Sequence, residues 1–330
     1  MDRRRFLGVA AAPLLLGTAP AALARALGGT PVALVTADTE ARVLAVEVAT
    51  RRMLRSIPTL AWPRSIESLH GLAGALVAHS EEGVVTLLDG LRVRRVLESF
   101  SEPRYTAVPA GGTGAWDERL AWVTDSGRGE LVTVDVARAR IVHRLALDGP
   151  ARHVAVAPDG QTLWAALGST AAEIAVVDLA RPRRPRLRRT IRPPWLAHDV
   201  GFAPDGTTAW VTSGDRSEIA LLDPRTGRLL RLLPAGRPPQ HVAFRDWDVE
   251  SGVAYVTSGK DGTLRTHRLD GRLLRSAAIP LGSYNVTCSG SWVVSPSLDR
   301  GTLAVLGAGG RPVARLALAP AAHDACLLVL

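Results

Sequence analysis

The chain has 330 residues, 47% of them hydrophobic and 22% charged, with only 2 cysteines, a balance that suits a globular protein with a large core. Disorder, collagen and a disulfide-stapled mini-protein are excluded. The net charge of +9 invites a nucleic-acid reading, but 39 of the 40 basic residues are arginine and Lys260 is the lone lysine, a skew that reads as compositional bias.

Residues 1–26 are expected to be an export segment. Asp2-Arg3-Arg4-Arg5-Phe6-Leu7 leads into the apolar run Val9 to Leu16, and small residues follow around Ala22, Ala24 and Ala26. A charged start, a short apolar run and an A-x-A site make a secretory signal, too short to span a membrane. The Arg3-Arg4 pair before Phe6-Leu7 is similar to a twin-arginine signal, with an ordinary secretory signal as the alternative. Cleavage would remove Asp2 and four arginines, lowering the charge from +9 to +6. No later segment offers about 18 uninterrupted apolar residues, so an exported monomer, soluble or only peripherally held, in the periplasm or outside the cell is expected.

The rest of the chain repeats itself. Ala121-Trp122-Val123-Thr124, Ala209-Trp210-Val211-Thr212 and Ala254-Tyr255-Val256-Thr257 are near copies, each followed by a polar loop and an alternating strand. Ala157-Pro158-Asp159-Gly160 and Ala203-Pro204-Asp205-Gly206 mark turns after the strands His153 to Val156 and Asp199 to Phe202. Aligning those strands puts Ser65, Tyr105, His153, Asp199, His241, Asn285 and Asp324 in register, at spacings of 40, 48, 46, 42, 44 and 39 residues. A period near 40 to 45 with four short strands per unit predicts an all-β fold, a seven-bladed β-propeller of four-stranded antiparallel blades filling residues 31–330 as one domain. Val32 to Thr36 matches a second strand and Asp324 to Leu330 a first strand, so the C-terminal strand is expected to complete the N-terminal blade.

Trp122-Val123-Thr124-Asp125, Ala175-Val176-Val177-Asp178 and the Ala-Pro-Asp-Gly turns give residues 31–330 a sequence that resembles the YVTN-type bacterial β-propellers. The resemblance implies the fold. It also implies a choice of roles, since such propellers serve as binding scaffolds, cofactor carriers and lactone hydrolases.

In such a ring the first strands line a central channel, and their entry points share a mouth with the second-to-third loops. Candidate ligand-binding residues at that mouth are Arg64, Arg104, Tyr105, Arg152, His153, His198, Asp199, Gln240, His241, Tyr284, Asn285, His323 and Asp324. The loops add His79, Asp125, Asp215 and Lys260. Four of the eight histidines fall at or just before one repeat position, which the scaffold does not require. Neutral imidazoles converging there could hold a divalent metal, with His153, His198 and His241 as its ligands, or serve a haem. The plainer alternative is histidines bonded to loop backbone and water.

The leading expectation is a non-enzymatic exported scaffold that presents this mouth to a small ligand or a protein partner. A metal- or haem-handling protein is the alternative. A hydrolase, with Glu81, Asp199, His153 or His241 as acid or base and Asp125, Asp215 and Arg152 orienting substrate, is the third. The densest basic stretch, Arg181 to Arg189, is Pro-interrupted and reads as a solvated strand and loop, so no nucleic acid is expected. Trp122, Trp164, Trp210 and Trp292 read as packing anchors between blades, while Trp195 could pack or line the mouth and Trp247 falls outside that pattern. Cys288 and Cys326 read as two thiols, with a ring-closing disulfide as the alternative.

Overall fold

The computed structural model describes residues 30–69, 73–109, 119–168, 173–238, 240–245 and 252–330. The expected export segment and Trp247 lie outside them. Among the described residues the chain forms 28 strands, numbered β1 to β28 in order, in seven four-stranded antiparallel sheets. This is the seven-bladed propeller that the repeat spacing predicts.

Blade 1 is assembled from both ends of the chain, in the order β28 (Ala322–Val329), β1 (Pro31–Ala37), β2 (Arg42–Glu47), β3 (Arg52–Pro58). Blades 2 to 7 take four consecutive strands each. Their innermost strands are β4 (Pro63–Leu69), β8 (Pro103–Ala107), β12 (Val154–Val156), β16 (Ala197–Phe202), β20 (Gln240–Arg245) and β24 (Thr287–Ser289). No helix among the described residues is long and apolar enough to cross a membrane.

Each strand's composition follows its radius in the ring. A middle strand is covered on both faces by neighbouring blades, so it reads as an unbroken buried run: Leu120–Asp125 and Val253–Ser258 are buried throughout. An outermost strand has water on most sides. Arg92-Val93-Arg94-Arg95 and Leu229-Leu230-Arg231-Leu232 are exposed and carry part of the arginine load. The core is a set of wedges, one between each pair of neighbouring blades, including blades 7 and 1.

The Ala-Trp-Val-Thr repeat has a mechanical explanation. Trp122, Trp164 and Trp210, with Tyr255 in the same role, are fully buried and fill the wedge against the following blade. The threonine two residues on ties its blade to the next inner strand. Thr124 Oγ1 donates to the Arg152 carbonyl at 2.6 Å, Thr212 Oγ1 to that of Gln240 at 2.8 Å, and Thr257 Oγ1 to that of Tyr284. Trp292 lies only partly buried between blades 7 and 1. Trp195 is buried with Trp164 and Phe202, so it packs and does not line the mouth. Neither cysteine is in a disulfide: Cys326 belongs to the wedge between blades 1 and 2, and Cys288 Sγ contacts the Phe244 carbonyl.

In the Ala-Pro-Asp-Gly turns the glycine takes the left-handed conformation that its missing Cβ permits, at φ +62° for Gly160 and +69° for Gly206. Each glycine N–H closes the turn on the alanine carbonyl, at 2.7 and 2.9 Å.

Candidate functional site

Most of the aligned inner-strand residues turn out to be ties between blades. Asp324 Oδ2 accepts the Ile66 N–H of blade 2 at 3.0 Å, and Asp199 Oδ2 accepts the Val242 N–H of blade 6 at 3.0 Å. Asn285 Nδ2 donates to the His323 carbonyl at 3.0 Å, and Ser65 Oγ to that of Arg104. Short polar side chains suit this task because they reach one strand sideways and no further. At the same position blades 3, 4 and 6 carry Tyr105, His153 and His241, whose rings make no such tie.

Those rings, joined by His198, meet at the head of the channel. Ring centroids are 4.4 Å apart for His153 and His241, 4.7 Å for His198 and His241, and 4.8 Å for His153 and His198. Tyr105 stacks on His153 at 3.6 Å. His198 Nε2 and His241 Nε2 are 3.0 Å apart, and one nitrogen from each of the three histidines falls within 4.8 Å of the others. His153 is 3% exposed, and neither ring nitrogen makes a well-formed hydrogen bond, the His198 backbone being its nearest polar support. Buried polar atoms are nearly always well bonded, so an imidazole this poorly satisfied demands an explanation.

The electrostatics favour the neutral form of His153 and His198. Burial holds His153 and His198 well below the ordinary histidine range, and mutual repulsion within the cluster together with the charge of Arg152 lowers both further. Asp199 Oδ2 lies 3.5 Å from His241 Nδ1, which favours a proton on that nitrogen and leaves Nε2 free to face its neighbours.

Beneath the cluster the channel opens into a cavity of about 320 Å³, lined by Tyr105, His153, His241, Asp324 and Glu67 among others. None of its described lining residues is an arginine or lysine. Burial pushes Asp324 up to about 8 and Glu67 up to about 7.

The other expected mouth residues are dispersed. His323 stands apart from the cluster, its Nδ1 2.5 Å from Asp38 Oδ2, and Asp38 is 3.7 Å from Arg64. Four are structural. His79 is fully buried between the Ala61 carbonyl and Thr86 Oγ1, and Asp125 accepts the N–H groups of Ser101 and Glu102. Gln240 donates to the Gly236 and Arg216 carbonyls. Tyr284 lies where a side chain at residue 259 would be, its ring 2.2 Å from the Cβ that Gly259 lacks. Asp215 is exposed and bonded to Ser213 in its own turn, Lys260 lies exposed on the rim, and Glu81 is an exposed loop residue. Sequence reasoning missed Glu67 and Asp38, which lie off the aligned position and have no repeat signal.

No protein-family model and no curated protein matches the sequence. Among solved structures the chain is similar to hydrazine synthase of Kuenenia stuttgartiensis, with 16% identity over 81% of this chain and 89% of that one, at a TM-score of 0.70. Apo AztD from Citrobacter koseri is 10% identical over 91% and 98% of the two chains, at 0.68. The dihydro-haem d1 dehydrogenase NirN, in complex with DHE, is 15% identical over 88% of this chain and 64% of its own, at 0.61. Likeness at these identities defines the class as β-propeller and goes no further.

Proposed function

We propose that this protein is an exported propeller of the YVTN type that holds one divalent transition-metal ion on His153, His198 and His241. The observation that carries the reading is the buried His153 ring without a well-formed hydrogen bond, with a nitrogen from each histidine inside a 4.8 Å span. Neutral imidazoles are the ligands that zinc, copper and nickel prefer. Two nitrogens on one zinc at about 2.0–2.1 Å lie roughly 3.3 Å apart, close to the 3.0 Å between His198 and His241. Asp199 supports the set by orienting His241, and the cavity offers the ion an open position.

The haem reading has less support. A haem spreads a flat ring between one or two axial ligands, whereas three imidazoles meeting at a point leave no slot for that plane. A twin-arginine signal, which carries folded and cofactor-loaded proteins, accords with a metal-bearing propeller delivered outside the cytoplasm.

Titration of chelator-treated protein with Zn²⁺, and separately with Cu²⁺ and Ni²⁺, tests the reading by calorimetry. One ion per chain is expected, with at least a 100-fold loss of affinity in H153A and in H198A/H241A. Sub-stoichiometric binding, or binding that survives the triple alanine variant, overturns it.

A further inference from the structure

Immediately outside the histidine cluster a second group of side chains is brought together. Arg64, Arg104 and Arg152 precede the aligned inner-strand residue in blades 2, 3 and 4, so the ring sets them side by side at the mouth. Backbone ties fix that arrangement, because Ser65 Oγ holds the Arg104 carbonyl and Thr124 Oγ1 the Arg152 carbonyl. The stem of Arg152 also lies over Gly168 (φ +77°), where an added Cβ would come within 3.1 Å of Arg152 Cδ.

The charges of this trio are incompletely matched. Arg104 pairs with Glu102. Arg64 reaches Asp38 only at 3.7 Å, and Asp38 already takes His323 Nδ1 at 2.5 Å. Arg152 makes no ion pair among the described residues, and Arg104 Nε is buried without an acceptor. Burial lowers the Arg104 pKa, the charge of Glu102 opposes this, and the charges of Arg152 and Arg64 lower it further. Like charges forced together over an unmatched donor are the pattern of a site whose counter-charge comes from outside.

We propose that Arg64, Arg104 and Arg152 bind the oxyanion group of an exogenous ligand, a carboxylate, phosphate or sulfate, at the mouth of the channel. None of the three arginines lines the acidic cavity, so the anion site is separate from it. Three planar forks suit a group with several oxygens better than a halide. The inference stands apart from the metal reading, since none of the three arginines belongs to the metal-binding set.

The test is calorimetric titration of chelator-treated full chain with inorganic phosphate, sulfate and succinate, at fixed ionic strength in chloride. Saturable binding of at least one is expected. Affinity should fall at least tenfold in R152Q and further in R64Q/R152Q, and stay unchanged in the rim control K260Q. Tighter phosphate or sulfate assigns a tetrahedral oxyanion, and tighter succinate a carboxylate. Repeating the titration in the H153A/H198A/H241A variant separates the two sites, because anion binding should persist there. Unsaturable uptake of all three probes, or equal affinity in R64Q/R152Q whose melting temperature matches the parent, overturns the proposal.

Discussion

Asp324 accepts two backbone N–H groups, from Ile66 at 3.0 Å and Ala325 at 2.8 Å, and such bonds favour the ionised form. Burial outweighs them and, with repulsion from Glu67, pushes the carboxyl up to about 8. The folded protein therefore keeps a proton that the unfolded chain releases near pH 4, and stability falls as pH rises toward 8. His153, His198 and His323 act in the opposite sense, because their lowered pKa values stabilise the fold as pH rises toward 6.5. Between pH 7 and 8, above the Glu67 value of about 7, Asp324 supplies most of the remaining fall. Urea unfolding of metal-free protein should show stability dropping across that window by up to about 1.4 kcal/mol per pH unit, and D324N should flatten the slope. Equal slopes would mean that Asp324 is already ionised in the fold. At this scale the sequence was readable where a residue type broke the repeat, as at His153 and His241. It was silent where the same types turned inward. His79, Asp125 and Gln240 look like mouth residues, yet each is taken by carbonyls or N–H groups that loops and neighbouring strands deliver only in three dimensions.

At the scale of strands, the recurring Ala-Trp-Val-Thr joins one blade to the next through an indole wedge and a hydroxyl tie. Trp164 meets Phe202 of the following blade edge-on, with centroids 5.1 Å apart, and both sit in a cluster that draws from blades 4 and 5. W164A should cost about 3–5 kcal/mol by leaving a cavity that two rigid sheets cannot close. L274A on the exposed outer strand should cost no more than about 0.5 kcal/mol. Both are read from denaturation midpoints, and similar losses would show that the wedge is not where stability resides. This level was the most legible in the sequence, because wedge and tie recur with the blade period and the covered middle strands need continuous apolar runs. The exact strand limits were less so: β12 begins at Val154, a residue later than the turn marker implies, since the backbone bulges there, the Arg152 N–H and the His153 carbonyl both bonding to Ala166.

The ring as a whole depends on its last strand. β28 pairs with β1 from Val32↔Leu328 to Val35↔Ala325, and Thr30 and Leu330 exchange backbone hydrogen bonds at 2.8 and 3.2 Å. Its side chains serve both flanking wedges. Ala325 and Leu327 pack toward blade 7, Cys326 and Leu328 toward blade 2, and Asp324 ties directly to Ile66. Deleting Ala325–Leu330 therefore strips one inner strand, opens two wedges and bares the β1 edge, a loss no local rearrangement can absorb. Calorimetry of the truncated chain should show no cooperative transition where the full chain has one. Because the histidine cluster is built from blades 4 to 6, on the far side of the ring, the truncation should also abolish the one-ion stoichiometry with Zn²⁺ although every ligand remains in the chain. Retention of a sharp melt and of that stoichiometry would show that the blades stand without closure.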